Sequence, residues 1–267
     1  MWYKIHTAIR QVVKRISPLI GKTALDPVRR AYLRCIEGLA KKKGIAVVAA
    51  GVSLKVHPSL ITVDWSTYEE RPLREFSSRI EPGDIVYDIG AFIGIYTLVA
   101  AKKCRPQGKV VAFEPHPQAM RMLKESLVWN NVQDRVLARE IAVGSKAGKE
   151  IFYMADLSSQ ASSLFDVSAG SKSSLIPVTT LDLESDALKL RPTYLKIHAE
   201  GGELEVLKGA ERVITEYSPK IFVSVHEQYA DKTGASREVI TAWLGNKGYT
   251  CEFAGEDDEI HLFCYRR

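Results

Sequence analysis

Ile85-Val86-Tyr87-Asp88-Ile89-Gly90-Ala91-Phe92-Ile93-Gly94 is the stretch on which the fold turns. A run of strand length, IVYDIG (85–90), gives onto a glycine loop, and a helical apolar pattern covers Ile93–Lys103. Strand, glycine turn and helix in that order form half of a βαβ unit. The rhythm continues downstream with strand KVVAFE (109–114), helix Gln118–Trp129 and strand VLAREIAV (136–143). It resumes later with strand YLKIH (194–198), helix Glu203–Tyr217, strand IFVSVH (221–226) and helix Ser236–Lys247. Such alternation predicts an α/β fold, a mostly parallel sheet with helices on both faces. Two closing strands, YTCEFA (249–254) and IHLFCY (260–265), are separated only by the acidic turn Gly255–Asp258. No crossover helix fits there, so the last strand is expected to run antiparallel.

Outside that rhythm, residues 45–65 read as short β structure and Tyr68–Ile80 as a polar helix. Residues 149–181 read as extra strands joined by a mobile Ser-rich loop (158–174), placed to act as a lid. The expected division is a helical extension over 1–44 and one domain over 45–267. Trp2, Ile5, Ile9, Val12, Val13 and Ile16 recur at helical spacing, and a second helix starts at Asp26-Pro27. Residues 1–43 carry eleven Lys/Arg against Asp26 and Glu37, although the whole chain nets only +5. A basic tail on a mildly acidic body argues against nucleic acid. It fits contact with an anionic membrane surface, packing on the main domain, or contact with a second copy of the chain. No apolar run is long enough to span a bilayer and no signal peptide is evident, so the expected location is cytoplasmic, peripheral to a membrane if the tail binds one. Cys35, Cys104, Cys251 and Cys264 show no CxxC spacing, which reads as buried thiols in a reducing compartment. No cluster has metal-ligand spacing, and no metal is expected.

Ligands of open α/β sheets bind beyond the carboxyl ends of the strands. There, Gly90 permits a tight turn and Gly94 lets the helix pack on the sheet. The G-x-x-x-G spacing departs from the G-x-G-x-x-G of dinucleotide sites, which argues against a nicotinamide oxidoreductase. Glu114, at the end of the second strand, can accept hydrogen bonds from both hydroxyls of a ribose. Asp88 and the glycine loop would then face an amino-acid portion, so the pocket suits an adenosine without phosphate, of which S-adenosylmethionine is the example. His198, Glu200 and His226 lie just past strand ends and are the candidate general bases. Lys196 is expected on the same side of its strand as His198.

Over residues 60–226 the sequence resembles the FkbM-type family of S-adenosylmethionine-dependent methyltransferases. The resemblance runs through TYEERPLREFSSRIEPGDIVYDIGAFIGIYTLVAAK (67–102), VVAFEPHP (110–117), AVGSKAGKEIFY (142–153), IPVTTLD (176–182) and LKIHAEGGELEVLKGA (195–210). It implies a class I methyltransferase (Rossmann-like) fold with seven strands, one of them reversed. It implies methyl transfer to an oxygen, often of a sugar or polyketide, and hence a small-molecule or glycan acceptor. Cofactor contacts at Tyr68, Phe92, Tyr96, Thr97, Pro115 and Ala142 are implied in the same way. Two positions depart from the family: Phe92 stands where Asn is usual in D-x-G-A-N-x-G, and His198 where Asp is usual in K-I-D-x-E-G. These departures favour the alternative of a catalytically inactive cofactor-binding partner or scaffold.

Overall fold

In the computed structural model, Gly38 and residues 43–58, 60, 63–65, 68–154, 163–165 and 172–266 are described. The basic tail, apart from Gly38, Lys43 and Gly44, lies outside the described residues, as does most of the Ser-rich loop. The chain opens with a hairpin, β1 (Ile45–Ala49) and β2 (Val52–Val56). It turns at Ala50-Gly51, both with positive φ as a tight hairpin turn requires. Then come α1 (Glu70–Ser78), β3 (Ile85–Ile89), α2 (Ile95–Lys103), β4 (Lys109–Phe113), α3 (Pro117–Trp129) and β5 (Val136–Arg139). Next are β6 (Ala142–Val143), β7 (Gly148–Met154), β8 (Lys172–Thr179), α4 (Leu181–Leu188) and β9 (Tyr194–Ile197). The remainder is α5 (Glu203–Lys208), α6 (Glu211–Tyr217), β10 (Lys220–Val225), a short 3₁₀ turn, α7 (Ala230–Thr233), α8 (Arg237–Asn246), β11 (Thr250–Glu256) and β12 (Ile260–Tyr265).

Seven strands form one sheet in the order β11-β12-β10-β9-β3-β4-β5. β3, β4, β5, β9 and β10 run parallel, and β12 runs antiparallel to both β10 and β11. The expected mostly parallel sheet with a reversed last strand is therefore the observed one. Its central strands are buried on both faces, which explains their almost continuous apolar character. On one face Val86, Ala112, Tyr194 and Phe222 pack with Phe76 of α1, Leu98 of α2 and Leu123 of α3. On the other, Tyr87, Phe113, Leu195 and Val223 pack with Leu181, Val206, Ile214 and Ile240 of α4, α5, α6 and α8. The extra strands make a separate sheet in the order β6-β8-β7.

Three expectations need correction. VLAREIAV is two strands: β5 pairs with β4, the chain kinks at Glu140-Ile141, and β6 pairs with β8 in the small sheet. The charged pair Arg139-Glu140 marks the place in the sequence, but the apolar residues on both sides read as one strand. Glu203–Tyr217 is two helices, because Asp182 accepts from the backbone N–H groups of Arg212 and Val213 and so caps a new helix start. At the break, a Cβ on Gly209 would lie 2.0 Å from the Gly144 carbonyl oxygen, so only glycine fits. Finally, Cys251 and Cys264 are direct register partners across β11 and β12 and are joined as a disulfide. The buried-thiol reading holds for Cys104 and fails for this pair, whose meeting depends on strand register rather than on local spacing. Cys35 lies outside the described residues. No helix among the described residues is long and apolar enough to cross a membrane.

Candidate active site

The carboxyl ends of β3, β4, β9 and β10 meet at one edge of the sheet, and Gly90, Glu114, His198 and His226 follow them directly. Gly90 turns the chain with φ 70°, and both Gly90 and Ala91 donate to the Phe113 carbonyl. A Cβ on Gly90 would lie 1.8 Å from the His198 carbonyl oxygen, so the loop passes β9 at a distance only glycine allows. Phe92 adopts φ 49°, a left-handed conformation that Asn tolerates far better than a bulky residue. Its N–H donates to Glu114 Oε2 at 2.7 Å, while the His116 N–H donates to Oε1 at 2.7 Å. Each carboxylate oxygen keeps acceptor capacity for one further donor. Burial pushes the Glu114 pKa up to about 7, against those two N–H donors and the Lys196 ammonium, which favour the charged form.

An open cleft, about 620 Å³ with its solvent-filled mouth included, lies against the loop. Tyr68, Gly90, Phe92, Tyr96, Glu114, His198 and Glu200 line it, together with Glu69 and Lys196. Tyr96 donates to Glu69, and burial, reinforced by the Glu69 charge, raises the pKa of both Tyr68 and Tyr96. A second recess of about 480 Å³ shares Gly90, Glu114 and His198 and adds Pro115, Ile141, Ala142 and Phe152. The sequence-derived residues therefore divide. Asp88 and Thr97 are fully buried beneath the cleft rather than lining it, with the Thr97 hydroxyl donating to Asp88 at 2.5 Å. Asp88 also pairs with Lys196 Nζ at 3.1 Å, and that ammonium donates to the Gly90 carbonyl at 2.9 Å. Gly94 starts α2 and packs against Leu123. Lys196 and His198 do share the cleft side of their strand.

At the far end of the cleft His198, Glu200 and His226 come together, and Glu259 joins them. Strand spacing pointed to the first three; Glu259 escaped notice because it precedes β12. That strand is reversed, so its beginning lies beside the end of β10, where Val225 pairs with Ile260. The signal was therefore present in the expected antiparallel last strand. His198 Nε2 lies 3.3 Å from Glu200 Oε1 and 3.3 Å from Glu259 Oε1. His226 Nε2 lies 3.4 Å from Glu200 Oε2 and 3.0 Å from Glu259 Oε1. Behind it, His226 Nδ1 meets the buried Glu203 Oε1 at 2.8 Å, an oxygen that also accepts from the N–H groups of Ala199 and Gly201. Glu200 itself adopts φ 50°, an uncommon conformation held by its surroundings.

Charge dominates this corner. Burial pulls the His198 pKa down, but Glu259 and Glu200 outweigh it and bring it to about 10. His226 is likewise raised, its burial opposed by Glu200, Glu203 and Glu259. Burial would raise Glu200 and Glu259, yet the two imidazoles hold both below the ordinary carboxylate range. The expectation of His198 as a general base assumed an ordinary imidazole; beside two carboxylates it holds its proton more tightly than that. Spacing along the chain also argued against a metal-ligand set, whereas in space four donors converge from the ends of three strands.

Residues 88–251, well over half of the chain, match the family profile described as Methyltransferase FkbM domain. The chain is 24% identical over 158 residues to the hexuronic acid methyltransferase AglP of Haloferax volcanii, covering 59% of this chain and 62% of that protein. It is 28% identical over 226 residues to the 31-O-demethyl-FK506 methyltransferase FkbM of Streptomyces tacrolimicus, covering 70% of this chain and 82% of that one. Among solved structures, a methyltransferase FkbM from Methylobacillus flagellatus KT superposes with a TM-score of 0.53 at 20% identity. That overlap covers 78% of this chain and 52% of the other, and it supports the fold.

Proposed function

The chain belongs to the methyltransferase FkbM domain family, and from that premise we propose that it transfers a methyl group from S-adenosylmethionine to a hydroxyl of a sugar, lipid-linked glycan or other small molecule. The observation that carries the cofactor assignment is Glu114. Its two oxygens are aimed by main-chain N–H groups of the glycine loop and of His116, with one acceptor site left on each for a ribose hydroxyl. The donor set fits the rest of the cofactor as well. Pro115, Ile141, Ala142 and Phe152 offer an apolar recess for a purine, and Glu69, with Tyr68 and Tyr96, offers a carboxylate to an ammonium.

When bound, the sulfonium supplies an activated methyl group. The protein's contribution is then positioning, exclusion of water and care of one proton. Tyr68, Phe92, Tyr96, His198 and Glu200 all line the cleft in which the reacting groups would meet. We assign His198, Glu200 and His226 to the acceptor. His198 and Glu200 reach the cleft wall and face the acceptor, while His226, buried against Glu203, orients Glu200 from behind. The hexuronic acid and 31-O-demethyl-FK506 named for the two relatives support an oxygen-bearing small molecule as the acceptor.

Calorimetric titration with S-adenosylmethionine, S-adenosylhomocysteine and NAD tests the cofactor, followed by a screen of methyl-labelled transfer to monosaccharides, uronic acids and lipid-linked glycans. Saturable binding of the two sulfur nucleosides with NAD silent is the expected result; the reverse pattern ends the proposal. A second reading, an inactive cofactor-binding partner, is favoured by the imidazole at 198 and its engagement by Glu200 and Glu259. His198→Asp separates the two: a decayed enzyme gains turnover, and one that uses the histidine loses it.

A further inference from the structure

We propose that His198, Glu200, His226 and Glu259 bind a first-row divalent metal cation at the acceptor end of the cleft. One ligand atom from each residue lies within 4.8 Å of all the others. The four cross-distances between imidazole nitrogens and carboxylate oxygens run from 3.0 to 3.4 Å. Donors about 2.1 Å from a shared ion lie about 3.0 Å apart in octahedral and about 3.4 Å apart in tetrahedral geometry. Each imidazole nitrogen thus sits at such a separation from an oxygen of both carboxylates, and small side-chain shifts would bring one donor from each residue onto a shared ion.

A second observation is independent of this spacing. His226 is buried, its Nε2 points into the cluster, and that nitrogen has no well-aligned hydrogen bond to either of the carboxylates beside it. Glu259 Oε2 is likewise buried without a hydrogen-bond partner. On the opposite edge of the ring, Nδ1 meets Glu203, whose oxygen is itself fixed by two backbone N–H groups. A carboxylate behind a histidine in this way sets the tautomer that leaves Nε2 as a ligand, the arrangement found around protein metal sites. Two imidazoles with two carboxylates suit Zn²⁺ and Mn²⁺ better than Mg²⁺, which prefers oxygen donors.

His198 and Glu200 form part of the cleft wall, so a coordination position on that side faces the acceptor. An acceptor hydroxyl placed there would lose its proton more readily. This role rests on the methyl-transfer reading; cation binding does not.

The test uses the full chain, stripped with a chelator and titrated with Zn²⁺, Mn²⁺ and Mg²⁺ in separate calorimetric experiments. Metal content is measured by mass spectrometry after dialysis, and Co²⁺ substitution is followed by its visible absorption bands. The expected result is about one Zn²⁺ or Mn²⁺ per chain, with Mg²⁺ at least tenfold weaker. Glu259→Gln and His198→Asn should each weaken binding at least tenfold with circular dichroism unchanged. Because His226 is buried, His226→Asn could unfold the chain, so the other two variants carry the decision. Stoichiometric binding indifferent to both would place the ion elsewhere and overturn the inference, as would no saturable binding of Zn²⁺ or Mn²⁺. Metal binding without S-adenosylmethionine binding would sink the cofactor reading alone, and the converse would sink the cation alone.

Discussion

Glu114 and Glu200 are both carboxylates on the wall of one cleft, yet their surroundings push their acidities in opposite directions. Burial dominates at Glu114 and brings its pKa up to about 7, because its partners are two main-chain N–H groups and a more distant ammonium. Two imidazoles dominate at Glu200 and take it below the ordinary range despite its burial. The first end of the cleft is built from backbone geometry, with glycine at 90 and N–H groups fixed by the strands. The second is built from side-chain charge, gathered from β9, β10 and β12. A single carboxylate aimed by main-chain N–H groups suits ribose hydroxyls, and a dense cluster of charges suits an acceptor oxygen or a cation.

Lys196 lies under both ends, and removing it should have the largest effect. Its ammonium meets Asp88 and the Gly90 carbonyl while sharing the cleft wall with His198. Lys196→Met leaves Asp88 charged, buried and uncompensated, which should cost about 3–5 kcal/mol in urea denaturation. The double change with Asp88→Leu should recover a substantial part of that loss. If the single change is neutral, the pair does not hold the two ends together.

Gly90→Ala attacks a place where the two ends touch backbone to backbone. The added methyl would enter the His198 carbonyl, and alanine must adopt φ 70°. Overpacking and the left-handed conformation together should cost about 2–4 kcal/mol. Affinity for S-adenosylmethionine should fall in the same variant, since either the loop or β9 has to move. A stability unchanged within error would show that the close approach is not required.

Glu114→Gln sharpens the contrast without disturbing the charged end. Losing hydrogen bonds to a charged acceptor should weaken S-adenosylmethionine by about 1.5–3 kcal/mol, read by calorimetry. The pH dependence has two opposite signs. The folded pKa of about 7 exceeds the ordinary 4.5, so between those values the folded chain binds more protons than the unfolded one. Glu114 therefore makes stability fall as pH rises from 4.5 to 7, and Glu114→Gln should flatten that slope in urea midpoints. Cofactor affinity should instead rise across pH 7, as the carboxylate ionises and accepts both hydroxyls. Parallel trends in the two measurements would contradict the assignment.

How much of this was legible follows from the same contrast. The strand IVYDI, its glycine loop and Glu114 are local: each lies within a few residues of the strand end that positions it, so spacing alone located them. Asp88 and Thr97 were located too, but their burial beneath the loop depended on Lys196, which arrives from β9. Glu259 required knowing that a reversed strand begins where parallel strands finish. Cys251 and Cys264 required a register, and the break after Lys208 required Asp182 to reach across from another helix. Each of these depends on a partner distant in sequence, which periodicity does not record.

Phe92 carries the smallest expected effect and the most direct test of the backbone-built end. Its N–H is committed to Glu114, so its φ of 49° is part of how the carboxylate is aimed. Asn, usual here in the related family, reaches that conformation at lower cost because its short amide bonds to nearby backbone. Phe92→Asn should therefore relieve strain of about 1 kcal/mol, less whatever the half-buried ring contributes by packing against the neighbouring core. A small gain in urea midpoint with Glu114 geometry retained is the expected outcome, together with an S-adenosylmethionine affinity equal or better. A clear loss of stability would mean that the ring's packing outweighs the backbone strain. The phenylalanine would then be a structural choice, and the loop would owe its shape to the core beneath it as well as to its glycines.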